Sequence, residues 1–342
     1  MHISAFDYEL PPELIAQQPL AERDASRMLV LDRANRSWTD SSFKNFTEHL
    51  RSDDVVVVNN SRVIPARLKG RREETGGQVE IFLVRELEAK VWDALVKPGG
   101  RLKAGSRVVF DERRRLKAEM LDGPGAELRR VRFYCEGSFE RLLGEIGVAP
   151  LPPYIKRIDP QDGERYQTIY AKERGAIAAP TAGLHFTPSV LEEIQTRATL
   201  AEVTLHVGYG TFEPVRVDDV DQHAVSAERF EISGSAAAKI NEAHNKCGRV
   251  IVVGTTTMRA LESSATDEGV VLAGAGEASL TIKPGYKFRV ADALLTNFHL
   301  PQSSLLILVS AFAGREFVLA AYRRAVTERY RFYSYGDCMF IL

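Results

Sequence analysis

The chain is predicted to be a multi-domain α/β protein in which a small antiparallel β-barrel, residues 64–152, is inserted into a larger discontinuous domain, residues 1–63 and 153–342. Three observations predict it. The length, 342 residues, exceeds a usual single domain. Short, wholly apolar runs of buried-strand type flank the middle region. Between them the texture changes abruptly to brief strands separated by regular turn signals.

Taken in order, Met28 to Leu31 and Val55 to Val58 are the first buried-strand runs, the second ending at Asn59-Asn60-Ser61-Arg62. Beyond Ile64-Pro65 come Val79 to Leu83, Val91 to Val96, Arg107 to Phe110, Leu116 to Leu121 and Val131 to Tyr134. Gly76-Gly77, Pro98-Gly99-Gly100 and Asp122-Gly123-Pro124-Gly125 supply the turns between them. A helix from Phe139 to Ile146 has Ser138 as its N-cap and Gly147 as its stop. Pro150-Leu151-Pro152-Pro153-Tyr154 reads as a stiff return linker. Thr187-Pro188 opens another helix, Arg249 to Arg259 reads as strand, turn and helix start, and Phe317 to Val326 has the four-residue recurrence of an amphipathic helix.

Composition narrows the class. With 44% hydrophobic and 27% charged residues the chain is an ordinary globular protein. Its longest apolar run, Leu305 to Val309, is too short to span a bilayer, and the N-terminus lacks a secretory pattern. Three scattered cysteines, Cys135, Cys247 and Cys338, indicate neither a disulfide framework nor a zinc ribbon. A cytoplasmic monomer is the expectation. The net charge of −1 conceals an asymmetry: residues 64–152 carry 18 Lys+Arg against 14 Asp+Glu. Runs such as Arg67 to Arg72, Arg113-Arg114-Arg115 and Arg129 to Arg132 are individually read as solvated strand edges. Together they favour contact with backbone phosphates.

The densest chemical signal is Pro180-Thr181-Ala182-Gly183-Leu184-His185-Phe186-Thr187, where turn formers, polar groups and an aromatic ring occupy eight residues. A strand carrying His206 on the same face as Glu202 and Thr204 follows, and breaks at Gly208-Tyr209-Gly210-Thr211-Phe212. Thr255-Thr256-Thr257, after a buried strand, offers free backbone N–H groups to a carboxylate or phosphate, with Arg259 adding charge. Plain threonine capping is the competing reading. Neither Gly208-Tyr209-Gly210 nor Gly274-Ala275-Gly276 completes a dinucleotide-type glycine fingerprint, because Glu213 and Ser279 stand at the third position. His185, His206, His223 and His299 lack metal-ligand spacing, so no metal is expected.

These loops, with Thr296-Asn297-Phe298-His299-Leu300-Pro301, Tyr335-Gly336-Asp337-Cys338-Met339-Phe340 and the opening Phe6-Asp7-Tyr8-Glu9-Leu10-Pro11, resemble the S-adenosylmethionine:tRNA ribosyltransferase-isomerase family of the queuosine pathway nearly end to end. The resemblance implies the same layout, a β-barrel set into an α/β, partly barrel-like domain. It also implies S-adenosyl-L-methionine as co-substrate and a tRNA bearing 7-aminomethyl-7-deazaguanine at the wobble position as partner. The products implied are epoxyqueuosine-tRNA, adenine and methionine. One departure is visible: where the family often has His-x-Met-His-x-Glu, this chain has His223-Ala224-Val225-Ser226-Ala227-Glu228, which argues against an obligatory acid–base role at Ser226.

The chemistry asks for a base, an acid to assist adenine departure, and a grip on the sulfonium and carboxylate. His185 and His206 are the expected catalytic residues, since histidine titrates near neutrality. Thr181, Gly183, Phe186, Gly208, Gly210, Thr211, Phe212, Thr255, Thr256, Arg259, Asn297 and His299 are the expected substrate-binding set. Phe186, Tyr209 and Phe212 are expected to stack on adenine or face the sulfonium, and Arg259 to take the carboxylate. Convergence of all these loops on one pocket is expected. A noncatalytic RNA-binding module and a methyltransferase of unfamiliar fold are the alternatives.

Overall fold

The computed structural model describes residues 1–111, 116–152, 154–156, 162–212 and 215–342. The Arg113 to Arg115 run and Pro153 of the return linker lie outside the described residues. The N-terminal part forms β1 (Arg27–Asp32), β2 (Ser37–Ser42), β3 (Val55–Asn59) and β4 (Ser61–Val63). There follow β5 (Arg67–Arg72), β6 (Gln78–Glu88), β7 (Val91–Lys97), β8 (Arg107–Asp111), β9 (Leu116–Met120), β10 (Arg129–Tyr134) and helix α1 (Phe139–Ile146). The C-terminal part holds α2 (Asp162–Arg165), β11 (Glu173–Ala176), α3 (Pro188–Arg197), β12 (Thr199–Leu205), β13 (Glu228–Ile232) and α4 (Gly234–Asn245). It ends with β14 (Val250–Val253), α5 (Thr255–Ser264), β15 (Gly274–Ala278), β16 (Ala293–Asn297), α6 (Ser304–Ala313), α7 (Arg315–Thr327) and β17 (Cys338–Ile341).

Strands β5 to β10 close into a six-stranded antiparallel barrel in the order β10-β7-β6-β5-β8-β9. Period-two alternation fills it: Leu68, Ile81, Ala94, Val108, Ala118 and Val131 are inward and fully buried. Helix α1 starts on Ser138, whose hydroxyl accepts from the Arg141 N–H at 3.2 Å, and plugs Phe139 and Leu143 into the barrel core. The barrel is a separate sheet from the one that contains Val250 to Val253.

That larger sheet has nine strands in the order β15-β13-β12-β3-β14-β16-β17-β1-β2. The pairs β12–β3, β3–β14 and β14–β16 are parallel, and the edge pairs β12–β13, β13–β15 and β1–β2 are antiparallel. A parallel sheet must be covered on both faces, and the alternation along each strand divides accordingly. Val55, Val57, Val250 and Val252 face the layer containing α4, α5, α6 and α7. Val56, Val58, Ile251 and Val253 face α3 and the 3-10 segment at Phe43 and Phe46. Helix α7 presents Phe317, Val318, Ala321, Tyr322 and Ala325 inward, the face that the four-residue recurrence marks. No single helix among the described residues is long and apolar enough to cross a membrane.

Candidate active site

The C-terminal ends of the parallel strands share one edge of the sheet, the usual place for a cleft in an open α/β sheet. Beyond β14 the chain turns at Gly254, whose φ of 89° is a conformation that a side chain would strain. Helix α5 then begins without any side-chain cap, so the N–H groups of its first turn are left for whatever occupies the cleft. Thr257 is taken up locally, donating to the Val253 carbonyl at 2.6 Å. Thr255 and Thr256 instead line a narrow cleft together with Thr181, Asn297 and His299.

The histidines of this edge are held, not free. His185 is buried, with Nδ1 2.8 Å from Ser26 Oγ and Nε2 3.3 Å from Asn297 Oδ1. Burial pushes its imidazole down to about 4, a shift that the Asn297 contact only partly offsets. Asn297 completes the link by donating to the Tyr333 carbonyl at 2.8 Å. His299 is also buried, contacts Thr296 Oγ1 at 3.0 Å, and is pushed by burial down to about 3. Both rings are neutral at pH 7.

A second cleft adjoins the first through Leu305 and Tyr333. It is lined by Gly210, His223, Ser226, Glu228 and Arg259. His223 Nε2 lies 2.8 Å from Ser304 Oγ. Arg259 is 8% exposed and pairs with Glu228, itself 4% exposed. The same guanidinium donates to the carbonyls of Ser226, Ala278 and Leu280. Glu228 in turn accepts from the Gly208 N–H at 2.8 Å. One buried ion pair therefore ties three loops together.

His206 faces a third groove between barrel and sheet, reached from the first cleft at Val207 and from the second at Gly210, Ser226 and Glu228. Its backbone is fixed by the Arg229 carbonyl, 2.9 Å from its N–H. Its ring packs on Gly175, where a Cβ would come within 2.8 Å of Nδ1. That Nδ1 is buried and has no hydrogen-bond partner among the described residues. Burial lowers the imidazole pKa, while the nearby Glu173 carboxylate acts the other way.

Convergence on a single pocket is thus corrected to adjoining clefts. Thr181, Thr255, Thr256, Asn297 and His299 meet in the first; Gly210 and Arg259 meet in the second; His206, Gly208 and Gly210 meet in the third. Phe186 joins none of them. Its ring is fully buried against Phe43, Phe46 and Tyr170, so it is a core residue and not an adenine stack. Burial of such a ring contributes about 1.5–3 kcal/mol, reason enough for an aromatic there. Gly183 is required by crowding: a Cβ would sit 2.1 Å from Tyr170 Oη. Arg259 lines the second cleft, where its charge is already matched by Glu228. His185 lies behind Asn297 and outside all three cleft linings. Tyr209 packs edge-on against Phe82 of the barrel, and the side chains of Thr211 and Phe212 lie outside what is described.

Sequence reasoning missed Tyr333 and Ser334, which line the first cleft from the segment before β17, and Tyr166. The cluster Tyr333-Ser334-Tyr335-Gly336 was the available signal, a turn rich in hydroxyls.

Comparison with known proteins adds an independent line. A family model described as "Queuosine biosynthesis protein" matches residues 3–341. The S-adenosylmethionine:tRNA ribosyltransferase-isomerase of Moorella thermoacetica is 50% identical over 344 residues, covering 100% of both chains. The protein of that name from Natranaerobius thermophilus is 49% identical over 100% of this chain and 99% of its own. Among solved structures, the S-adenosylmethionine tRNA ribosyltransferase of Thermotoga maritima is 37% identical, with a TM-score of 0.56, over 99% of this chain and 100% of that one.

Proposed function

The chain belongs to the queuosine biosynthesis protein family and is an enzyme of the transferase class, and we propose that it transfers and isomerises the ribosyl part of S-adenosylmethionine onto 7-aminomethyl-7-deazaguanine in a tRNA anticodon, giving epoxyqueuosine-tRNA with release of adenine and methionine. The observation that carries this reading is the uncapped start of α5, which lines the same cleft as Thr181 and Asn297. That end of the cleft suits the methionine carboxylate, since backbone N–H groups and the helix dipole both favour an anion. S-adenosylmethionine supplies the activated ribosyl carbons and the acidic C–H beside its sulfonium.

The protein's own part is to bind, orient and move protons. Thr255 and Thr256 hold the carboxylate end. Asn297 is positioned by His185 and by the Tyr333 carbonyl, and presents its edge to the cleft. Of the predicted catalytic histidines, His206 suits proton transfer better than His185, because its groove opens onto both clefts while His185 lies outside their linings. Arg259 and Glu228 keep the Gly208 loop and the Ser226 segment in register around that histidine.

For the tRNA we propose residues 64–152 as a unit whose outer face binds backbone phosphates. Lys69, Arg71 and Lys97 line one shallow depression there together with Glu80, and none of the three basic groups is in a salt bridge among the described residues. Incubating the enzyme with S-adenosylmethionine and tRNA carrying the modified base tests the reading. Free adenine with an altered tRNA base is expected. S-adenosylhomocysteine would mean methylation, and tRNA binding without any product would mean an RNA-binding module.

A further inference from the structure

Tyr333 stands where the two adjoining clefts meet, and it is built at a conformational cost. Its φ of 76° is the left-handed region, which a bulky residue occupies only where the surroundings enforce it. The surroundings do enforce it. The Tyr333 N–H donates to the Phe298 carbonyl at 3.0 Å, and its own carbonyl accepts from Asn297 Nδ2 and from the Gly336 N–H. The ring is propped edge-on by Tyr154 at 4.1 Å, and the Tyr154 hydroxyl bonds to Ser334. Glycine or asparagine would satisfy the same backbone with less strain, so the aromatic ring is kept here at a backbone cost.

We propose that Tyr333 is a substrate-binding residue whose ring forms the wall shared by both clefts and faces the sulfonium of S-adenosylmethionine. This rests on the functional reading above. A substrate anchored by its carboxylate at α5 places its cationic sulfur farther along the same cleft, and an aromatic face is the neutral group that attracts a cation there without a counter-charge. Burial holds the phenol up to about 12, so the ring stays uncharged at any working pH. A carboxylate in its place would pair with the sulfonium but would repel the methionine carboxylate nearby.

The test compares S-adenosylmethionine, which carries the sulfonium, with S-adenosylhomocysteine, its neutral thioether, by calorimetric titration of the full chain. Tyr333→Asn removes the ring while suiting the left-handed backbone; Tyr333→Phe keeps the ring. Tyr333→Asn is expected to melt at or above the wild-type temperature, to lose roughly 3- to 30-fold in affinity for the sulfonium ligand, and to bind the thioether within about twofold of wild type. Tyr333→Phe is expected to keep the wild-type preference. An unchanged preference in folded Tyr333→Asn, or equal loss for both ligands, would overturn the proposal. If Tyr333→Asn does not fold, loss of preference in Tyr333→Phe overturns it equally. A wild-type protein that binds neither ligand would overturn the functional reading itself, and this proposal with it.

Discussion

His185 illustrates how a chemically suggestive residue can be occupied by structure. Both ring nitrogens are engaged, by Ser26 and Asn297, and its pKa is depressed to about 4. A histidine neutral in the folded state and protonated near 6.5 when unfolded gives stability that is complete above pH 6.5. That stability is lost as pH falls toward 4, because the unfolded chain then binds the extra proton. His299, at about 3, extends the same trend to lower pH. The expected result is a melting temperature that drops steeply between pH 6.5 and 4, with a shallower slope in His185→Asn; a wild-type melting temperature flat over that window would contradict it. His185→Ala is expected to cost about 1–3 kcal/mol in denaturant unfolding by leaving Ser26 and Asn297 buried and unsatisfied. Its remaining activity should keep the wild-type pH profile, since in the proposed reading this ring transfers no proton. His206→Ala is the contrasting case: we expect adenine release to fall about 10²-fold or more with little change in melting temperature.

At the scale of elements, the Arg259–Glu228 pair links α5 to the start of β13 and to the Gly208 turn. Both groups are nearly inaccessible, so removing one leaves the other charge buried. Arg259→Met should therefore destabilise the fold by roughly 3–5 kcal/mol in chemical denaturation. Arg259→Met with Glu228→Gln should recover part of that loss, because no uncompensated charge remains. If Arg259→Met were instead as stable as wild type and only weakened S-adenosylmethionine binding, the guanidinium would be a ligand clamp after all. Asp337 plays a comparable part for the C-terminal strand, accepting from the N–H groups of Arg27 and Arg331 at 2.9 and 2.8 Å. Its position in the Tyr335 to Phe340 motif thus has a structural use, and burial raises its carboxyl above the ordinary range.

On the scale of the whole molecule, a closed barrel with its own core sits beside a nine-stranded sheet, and the His206 groove runs between them. Reactive and RNA-binding functions are divided between these parts in the proposed reading. Reversing Lys69, Arg71 and Lys97 to glutamate should weaken tRNA binding and reduce its salt slope by about 0.9 for each phosphate that is no longer neutralised. S-adenosylmethionine affinity should be unaffected, because the clefts are lined from the larger domain. Unchanged tRNA affinity and slope would assign the depression to ordinary solvated surface.

Local periodicity and turn chemistry were enough to read five of the six barrel strands, β6 to β10, the buried strands β1, β3 and β14, the helices at Thr187 and Phe317, and the threonine turn before Arg259, while β5 was legible only as a basic run. Those features depend on neighbours within a few residues, which a sequence displays directly. What lay beyond it were the partners. Whether Phe186 meets a ligand or Phe43 is decided by segments more than a hundred residues apart, and the same holds for His185 with Ser26 and Asn297. Arg259 looks available in one dimension because Glu228 stands 31 residues away. Tyr333 stands in a hydroxyl-rich turn that the sequence displays, but only the left-handed backbone and the meeting of two clefts single it out within that turn. The sequence by itself determined which elements form and which residue types are available for chemistry. Tertiary structure alone decided which of those groups remain unpartnered, because desolvation and pairing depend on distances through space that chain order does not encode.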